Sequence, residues 1–440
     1  MPLQLNSTQQ GILCQSSRQA LQQVFQTLKL HFSQNDWLDS NNRYRANCIQ
    51  SLEHDIPNQI VRDDLSQYIA ASAVLHCADG WSFLGRALSC HACGDSDIAR
   101  HLGYYAELRA AMSILAAEGI GIFHNDHCVI GANNNQQFVS GPNTHMMAWL
   151  ALKTWANGAD SAEILADIIR PNGLPLKQWL DAFNATSQLR PLGETWLTSW
   201  GFDLQRLFDD RVARNEASYR PTRLNGPRSL SGSDSARLMC DLWLQCEPRS
   251  LSPFATLDNH LLRLSLDEAY FMITHKKPHE DMTDFRTRIG GMLGRMSVGA
   301  HWESFLTRKS DPSNPMIIDE AKKQDSTARP RHHVQVISRA TLLLRVATGM
   351  SARLLRSSGF TKDDLKFWWK KFGDDHGLWH PASAIDDFGD LWADVATSIE
   401  NARQWDPGNQ NKSIQSWLEE ESKTAWSLSG CERIALWGLF

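Results

Sequence analysis

The chain of 440 residues has no apolar run approaching the roughly 20 residues that a membrane span requires. Its longest greasy helical pattern is interrupted by Arg339 and Arg345, so no membrane association is expected. The first thirty residues are rich in Gln and Ser and lack an apolar core, which argues against a secretory signal. Cysteine is sparse: nine, scattered and odd in number, which suits free thiols in a reducing cytoplasm. There is no Walker motif, no nucleophile elbow and no alternation of strands with helices. The glycine-rich stretch at 290–296 follows no strand, so it is expected to permit close helix packing or a kink, not to cradle phosphate. Nothing calls for a cofactor. A Cys90-x2-Cys93 pair and a His124-x2-His127-Cys128 group have zinc-ligand chemistry, but a helix of about 23 residues, roughly 35 Å long, separates them, and no metal is expected. The formal net charge of -5 excludes a polyanion binder acting through overall charge.

What is present is helical periodicity and tryptophan. Apolar residues make up 42% of the chain, enough for a sizeable core, and the 17 Trp serve as core or groove anchors. Residues 95–119 place Ile98, Leu102, Tyr105, Leu108, Met112 and Leu115 at steps of three and four, with Asp95 or Ser96 as N-cap and Gly119 at the end. A similar broad apolar face runs over 10–32. Further helices are expected at 143–157, 160–169, 203–215, 233–246, 255–273, 333–357, 361–372, 385–404 and 411–428. Only 128–140, with its Asn-rich turn, reads as a β-hairpin. The expected fold is an all-α multi-helix bundle with at most that one hairpin. Polar stretches at 217–234 and 308–332 read as linkers or long loops. They divide the chain into an N-terminal part (1–216), a middle part (235–307) and a C-terminal part (333–440).

Charge is uneven along the sequence. From Ala321 to Phe372 twelve basic residues face only Asp325, Asp363 and Asp364. From Asp374 onward twelve carboxylates face Arg403, Lys412, Lys423 and Arg433. One reading is a phosphate-tracking patch of Lys322, Lys323, Arg329, Arg331, His332, His333, Lys366, Lys370 and Lys371, with Trp368 and Trp369 available to stack on bases. The other is that the two blocks pair with one another, are solvated helix faces, or form a subunit interface.

The densest chemistry lies between Trp81 and Phe123: Arg86, Cys90, His91, Cys93, Arg100, His101, Tyr104, Tyr105, Glu107 and Arg109. Glu107, Arg109 and Glu118 belong either to a wet helix face or to a buried salt-bridge network. Arg86 and His91 form an Arg-x4-His pair just before the helix containing YYAELRAAM; Arg295 and His301 give a second match to the same pattern. Over about 60–157, by helix order and by its texture of aromatic and small residues, the segment resembles HEPN domains. These are all-α nucleases and nucleotide- or RNA-binding modules common in bacterial toxins and anti-phage systems. The resemblance implies metal-independent RNA cleavage, with Arg86 stabilising phosphorane charge and His91 moving a proton, at a site built across the two copies of a homodimer. Three functions follow as expectations: a helical subunit of a bacterial defence assembly that binds partner subunits and RNA or DNA, an endoribonuclease using Arg86 and His91, or a stand-alone nucleic-acid binder working through 322–371.

Overall fold

The computed structural model describes residues 4–56, 58, 60, 63–185, 192–219, 231–249, 252–299, 301–307, 314–323, 332–380, 385 and 387–440. It is an all-α assembly organised on three long helices, Asp63–Ala92, Ser96–Ala117 and His332–Ser357. The first begins with Asp63 and Asp64, whose charge suits a helix N-terminus. The second is capped by Asp95, whose side chain accepts from the Ile98 N–H, and ends before Gly119 at φ +84°.

Small residues let these helices approach closely. A Cβ added at Gly80 would lie 2.5 Å from the Leu344 side chain, and one at Gly85 would lie 2.4 Å from the Ser429 carbonyl oxygen. The third helix runs antiparallel to the first. The Ser351 hydroxyl donates to the Ala73 carbonyl at 3.1 Å, the Trp81 indole donates to Thr348 at 2.9 Å, and His91 meets His333. The third helix is covered on nearly every side, so its polar groups need partners inside the protein.

Those partners come from other parts of the chain. Arg339 pairs with Asp210 at 2.7 and 2.6 Å, and its Nε lies 3.7 Å from Glu107. Burial, and next the adjacent Asp210, push the Glu107 carboxyl well above the usual carboxylate range, so it is held protonated. Arg345 pairs with Asp258 at 2.8 and 2.7 Å, and Arg353 reaches Asp167 at 2.8 Å. Three cations of the basic block are thus matched inside the fold by acids remote in sequence.

One apolar core extends from Leu5 to Leu439 and draws on all three expected parts. The long helix of the 333–440 part packs between two helices of the 1–216 part, and Asp258 of the 235–307 part is tied to it. The 308–332 stretch is not loop throughout: Met316–Lys322 is helical, with Ile317, Ile318 and Ala321 fully buried. Most of 217–234 lies outside the described residues, although helices reach Tyr219 and begin again at Gly232.

The expected 10–32 face is divided among Ser7–Leu13, Arg18–Thr27 and Lys29–Phe32. Ser17 accepts from the Ala20 N–H and starts a new helix there. The hairpin pairs β2 (Asp126–Ile130) with β3 (Gln136–Ser140), in the register Cys128 opposite Phe138. A two-residue strand, β1 (Ile120–Gly121), adds to its edge, and Asn133 and Asn134 turn the chain at positive φ. Gly290 and Gly294 face open space, with no atom within 4 Å of an added Cβ. The glycine-rich stretch therefore brings no neighbouring helix close at these two positions, contrary to expectation. Among the described residues no helix is long and apolar enough to cross a membrane.

Candidate nucleic-acid interface

The expected patch at 322–371 is dispersed. His332 and His333 are buried, 3% and 0% exposed, so they do not offer a phosphate contact at the helix start. His332 Nε2 lies 3.5 Å from Asp210, and His333 Nε2 lies 3.0 Å from His91 Nδ1. Lys322 and Lys323 close a short helix and accept from Arg206 through their carbonyls, while the Lys323 ammonium is 2.7 Å from Glu320. Arg329 and Arg331 lie outside the described residues.

Lys366, Lys370 and Lys371 line a shallow surface depression on the Lys366–Asp375 helix, where Lys371 pairs with Asp375 at 2.9 Å. The tryptophans beside them do not present free faces. Trp369 is 2% exposed and donates to the Lys362 carbonyl, and Trp368 packs between Trp37 and Phe372. Both belong to the packing of this helix.

Arg86 and His91 leave their helix roughly 140° apart, as five residues at 100° each require. Arg86 is exposed and lies 5.1 Å over the Phe83 ring, whereas His91 is buried against His333. They do not share a surface. Arg295 of the second match donates to the Ala182 carbonyl, and His301 packs on Trp302.

A different constellation forms around Arg86. The first long helix presents His76, Asp79, Phe83 and Arg86 at steps of three and four, hence on one face. The second presents His101, Tyr105 and Arg109 at steps of four. His145 comes from the start of the Thr144–Ala156 helix, and Arg214 and Ser218 from the Leu204–Tyr219 helix that Asp210 ties to the third long helix.

Phe83 stacks on Tyr105 at 5.5 Å, and the guanidinium groups of Arg86 and Arg109 lie over its ring at 5.1 and 5.9 Å. Arg214 lies 5.4 and 5.5 Å over Tyr104 and Tyr105, and His101 packs on Tyr105 at 5.0 Å. The result is a continuous ledge of cations on aromatic faces.

Its electrostatics follow from what holds the arginines. Arg109 donates to His76 Nδ1 at 2.7 Å, and Arg214 donates to His145 Nε2 at 3.2 Å. Burial and then Arg109 lower the His76 pKa to about 3; burial, then Arg214 and Arg211, lower that of His145 to about 4. Burial and then Arg214 also lower His101. The His76 and His145 imidazoles are therefore neutral acceptors that orient the two guanidinium groups without cancelling their charge. With Nε2 accepting, the neutral His145 ring carries its proton on Nδ1 and donates it to the Tyr104 oxygen at 3.0 Å. Asp79 lies 3.6 Å from Arg109, and Glu432 is close enough to Arg86 to interact with its charge. Among the described residues Arg86 and Arg214 form no ion pair, and the buried Arg214 Nε makes no hydrogen bond.

Sequence reading singled out Arg86, His101, Tyr104, Tyr105 and Arg109 as a cluster. It missed His76 and Phe83, which share the helical face of Arg86. It also missed His145 and Arg214, which no local pattern connects to that face. Cys90 lies in the last turn of the first long helix and Cys93 just beyond its end, while His127 is used within the hairpin, accepting from the Phe123 N–H and contacting the Pro142 carbonyl. No family model matches the chain, and neither a curated protein nor a solved structure matches it.

Proposed function

We propose that the chain binds single-stranded nucleic acid, RNA foremost, along the ledge of Arg86, Phe83, Arg109 and Tyr105, with the buried Arg214 held on the Tyr105 ring. The observation that carries this reading is the support of Arg109 and Arg214 by neutral imidazoles. The guanidinium groups stay cationic, oriented and adjacent to aromatic rings. Guanidinium forks match phosphate oxygens, and the half-exposed edges of Phe83 and Tyr105 offer stacking surface for bases in any sequence. Binding here needs no cleavage by His91, which lies inside the fold. The HEPN resemblance implies a wider setting, a subunit of a bacterial defence assembly, and Val212 and Tyr219 offer such a subunit a partner contact. These are exposed apolar residues one heptad apart on the helix that presents Arg214.

Fluorescence anisotropy with a single-stranded RNA oligomer across a salt series tests the proposal. Two phosphate contacts, at Arg86 and Arg109, give a slope of log K against log salt of about -1.4, because each contact to a single strand contributes about -0.7. Replacing Arg86 and Arg109 with Gln brings the slope to about 0. An unchanged slope in the double variant, or tighter binding to duplex than to single strand, overturns it. Incubation of the same RNA with wild type and His91→Ala separates binding from cleavage.

A further inference from the structure

The fold opens into a pocket of about 600 Å³ between the Ser7–Leu13, Thr144–Ala156 and Leu204–Tyr219 helices. Its size falls within the range of small-molecule sites. The apolar walls come from Leu5, Met146, Leu150 and Phe208, with Lys153 and Cys14 at the edge.

The polar groups between these walls are already engaged. The Gln10 amide donates to the Leu5 carbonyl, the Thr154 hydroxyl to the Leu150 carbonyl, and the Asn157 amide to the Lys153 carbonyl. The Lys153 ammonium forms no ion pair among the described residues, and no carboxylate lines the pocket. A chamber walled in larger part by apolar groups, with one cation at its edge that forms no ion pair, is complementary to a molecule with an apolar body and an anionic head.

We propose that this pocket binds a small amphipathic anion, a medium-chain aliphatic carboxylate being the simplest member of the class, with its tail against Leu150 and Phe208 and its head at Lys153. The inference does not rest on the nucleic-acid reading. Each methylene buried tightens binding about fourfold until the chamber is filled, and the exposed charge pair at Lys153 adds about threefold.

Isothermal titration of the full chain with octanoate, decanoate and decanol tests this. Decanoate is expected to bind saturably at one site per chain, more tightly than octanoate. Lys153→Gln weakens decanoate about threefold and leaves decanol unchanged. Leu150→Trp fills the chamber and abolishes binding of both. To guard against misfolding of that variant, the pocket is also blocked chemically. In a Cys93→Ser background, maleimide alkylation of the exposed Cys14 prevents decanoate binding, and bound decanoate slows the alkylation. Absence of saturable binding, binding that survives both Leu150→Trp and Cys14 alkylation, or equal sensitivity of decanol and decanoate to Lys153→Gln overturns the proposal.

Discussion

Asp258 to alanine is the substitution from which the largest loss of stability is expected. The carboxylate is fully buried and accepts from Arg345 Nε at 2.8 Å, from Arg345 Nη2 at 2.7 Å and from the Arg170 N–H at 2.7 Å. Arg345 is 3% exposed, also donates to the Ile168 carbonyl, and lies 4.7 Å over the Phe254 ring. Removing one member of such a pair leaves an unmatched buried charge and costs about 3–5 kcal/mol. Asp258→Ala also orphans the Arg170 N–H, which adds about 1 kcal/mol or more, so the total lies near 5 kcal/mol. Arg345→Met leaves a carboxylate that escapes part of the penalty by taking up a proton, so its cost is nearer 3 kcal/mol. The double replacement Asp258→Ala with Arg345→Met removes both charges. It is expected to be more stable than Asp258→Ala, with a coupling of at least about 2 kcal/mol between the sites. Urea unfolding followed by tryptophan fluorescence reads all three, and the wild-type contribution persists in 1 M salt because a buried pair is poorly screened. A cost below about 1 kcal/mol for Asp258→Ala, or additive costs in the double variant, would refute the reasoning.

Other expectations follow from single contacts. Lys370→Gln with Lys371→Gln leaves RNA affinity within about twofold, whereas Trp369→Ala, which empties a buried site, costs about 3–5 kcal/mol in the same unfolding assay. Gly85→Ala places a Cβ against the Ser429 carbonyl and destabilises by about 1–3 kcal/mol. Gly290→Ala meets open space inside a helix and stabilises by about 0.5–1 kcal/mol; a thermal melt giving both the same sign contradicts the packing described. His145 has a folded pKa near 4, below the ordinary 6.5, so the unfolded chain takes up its proton first as pH falls. Its contribution is therefore complete above pH 6.5 and declines between 6.5 and about 4. Melting temperatures across that window should fall less steeply in His145→Asn than in wild type, and identical slopes would exclude a neutral His145.

The helical architecture was legible because apolar spacing reports a local property. Asp95 caps the 96–117 helix, the 144–156, 255–274 and 332–357 helices lie within about a residue of their periodic patterns, and the Asn-rich turn forms its hairpin. The division into three parts and the 308–332 linker were harder to read. Polarity of a stretch says nothing about whether two or three isoleucines within it find a distant face, as Ile317 and Ile318 do.

Charge misled for the same reason. Counted along the sequence, 321–372 is strongly basic, yet Arg339, Arg345 and Arg353 are opposed by Asp210, Asp258 and Asp167, and sequence separation has no bearing on Coulomb energy. Arg86 stood out by residue type, but its partners depend on tertiary contacts: Phe83 beside it on one helix, Tyr105 and Arg109 across the bundle, and Arg214 from a helix more than a hundred residues away. Periodicity alone determined that this chain builds amphipathic and buried helices, because each helix face is written in steps of three and four. Which cations remain uncancelled, and which are absorbed as buried pairs, was decided only when three distant segments closed around His332–Ser357, because desolvation and pairing depend on distances that exist only in the folded chain.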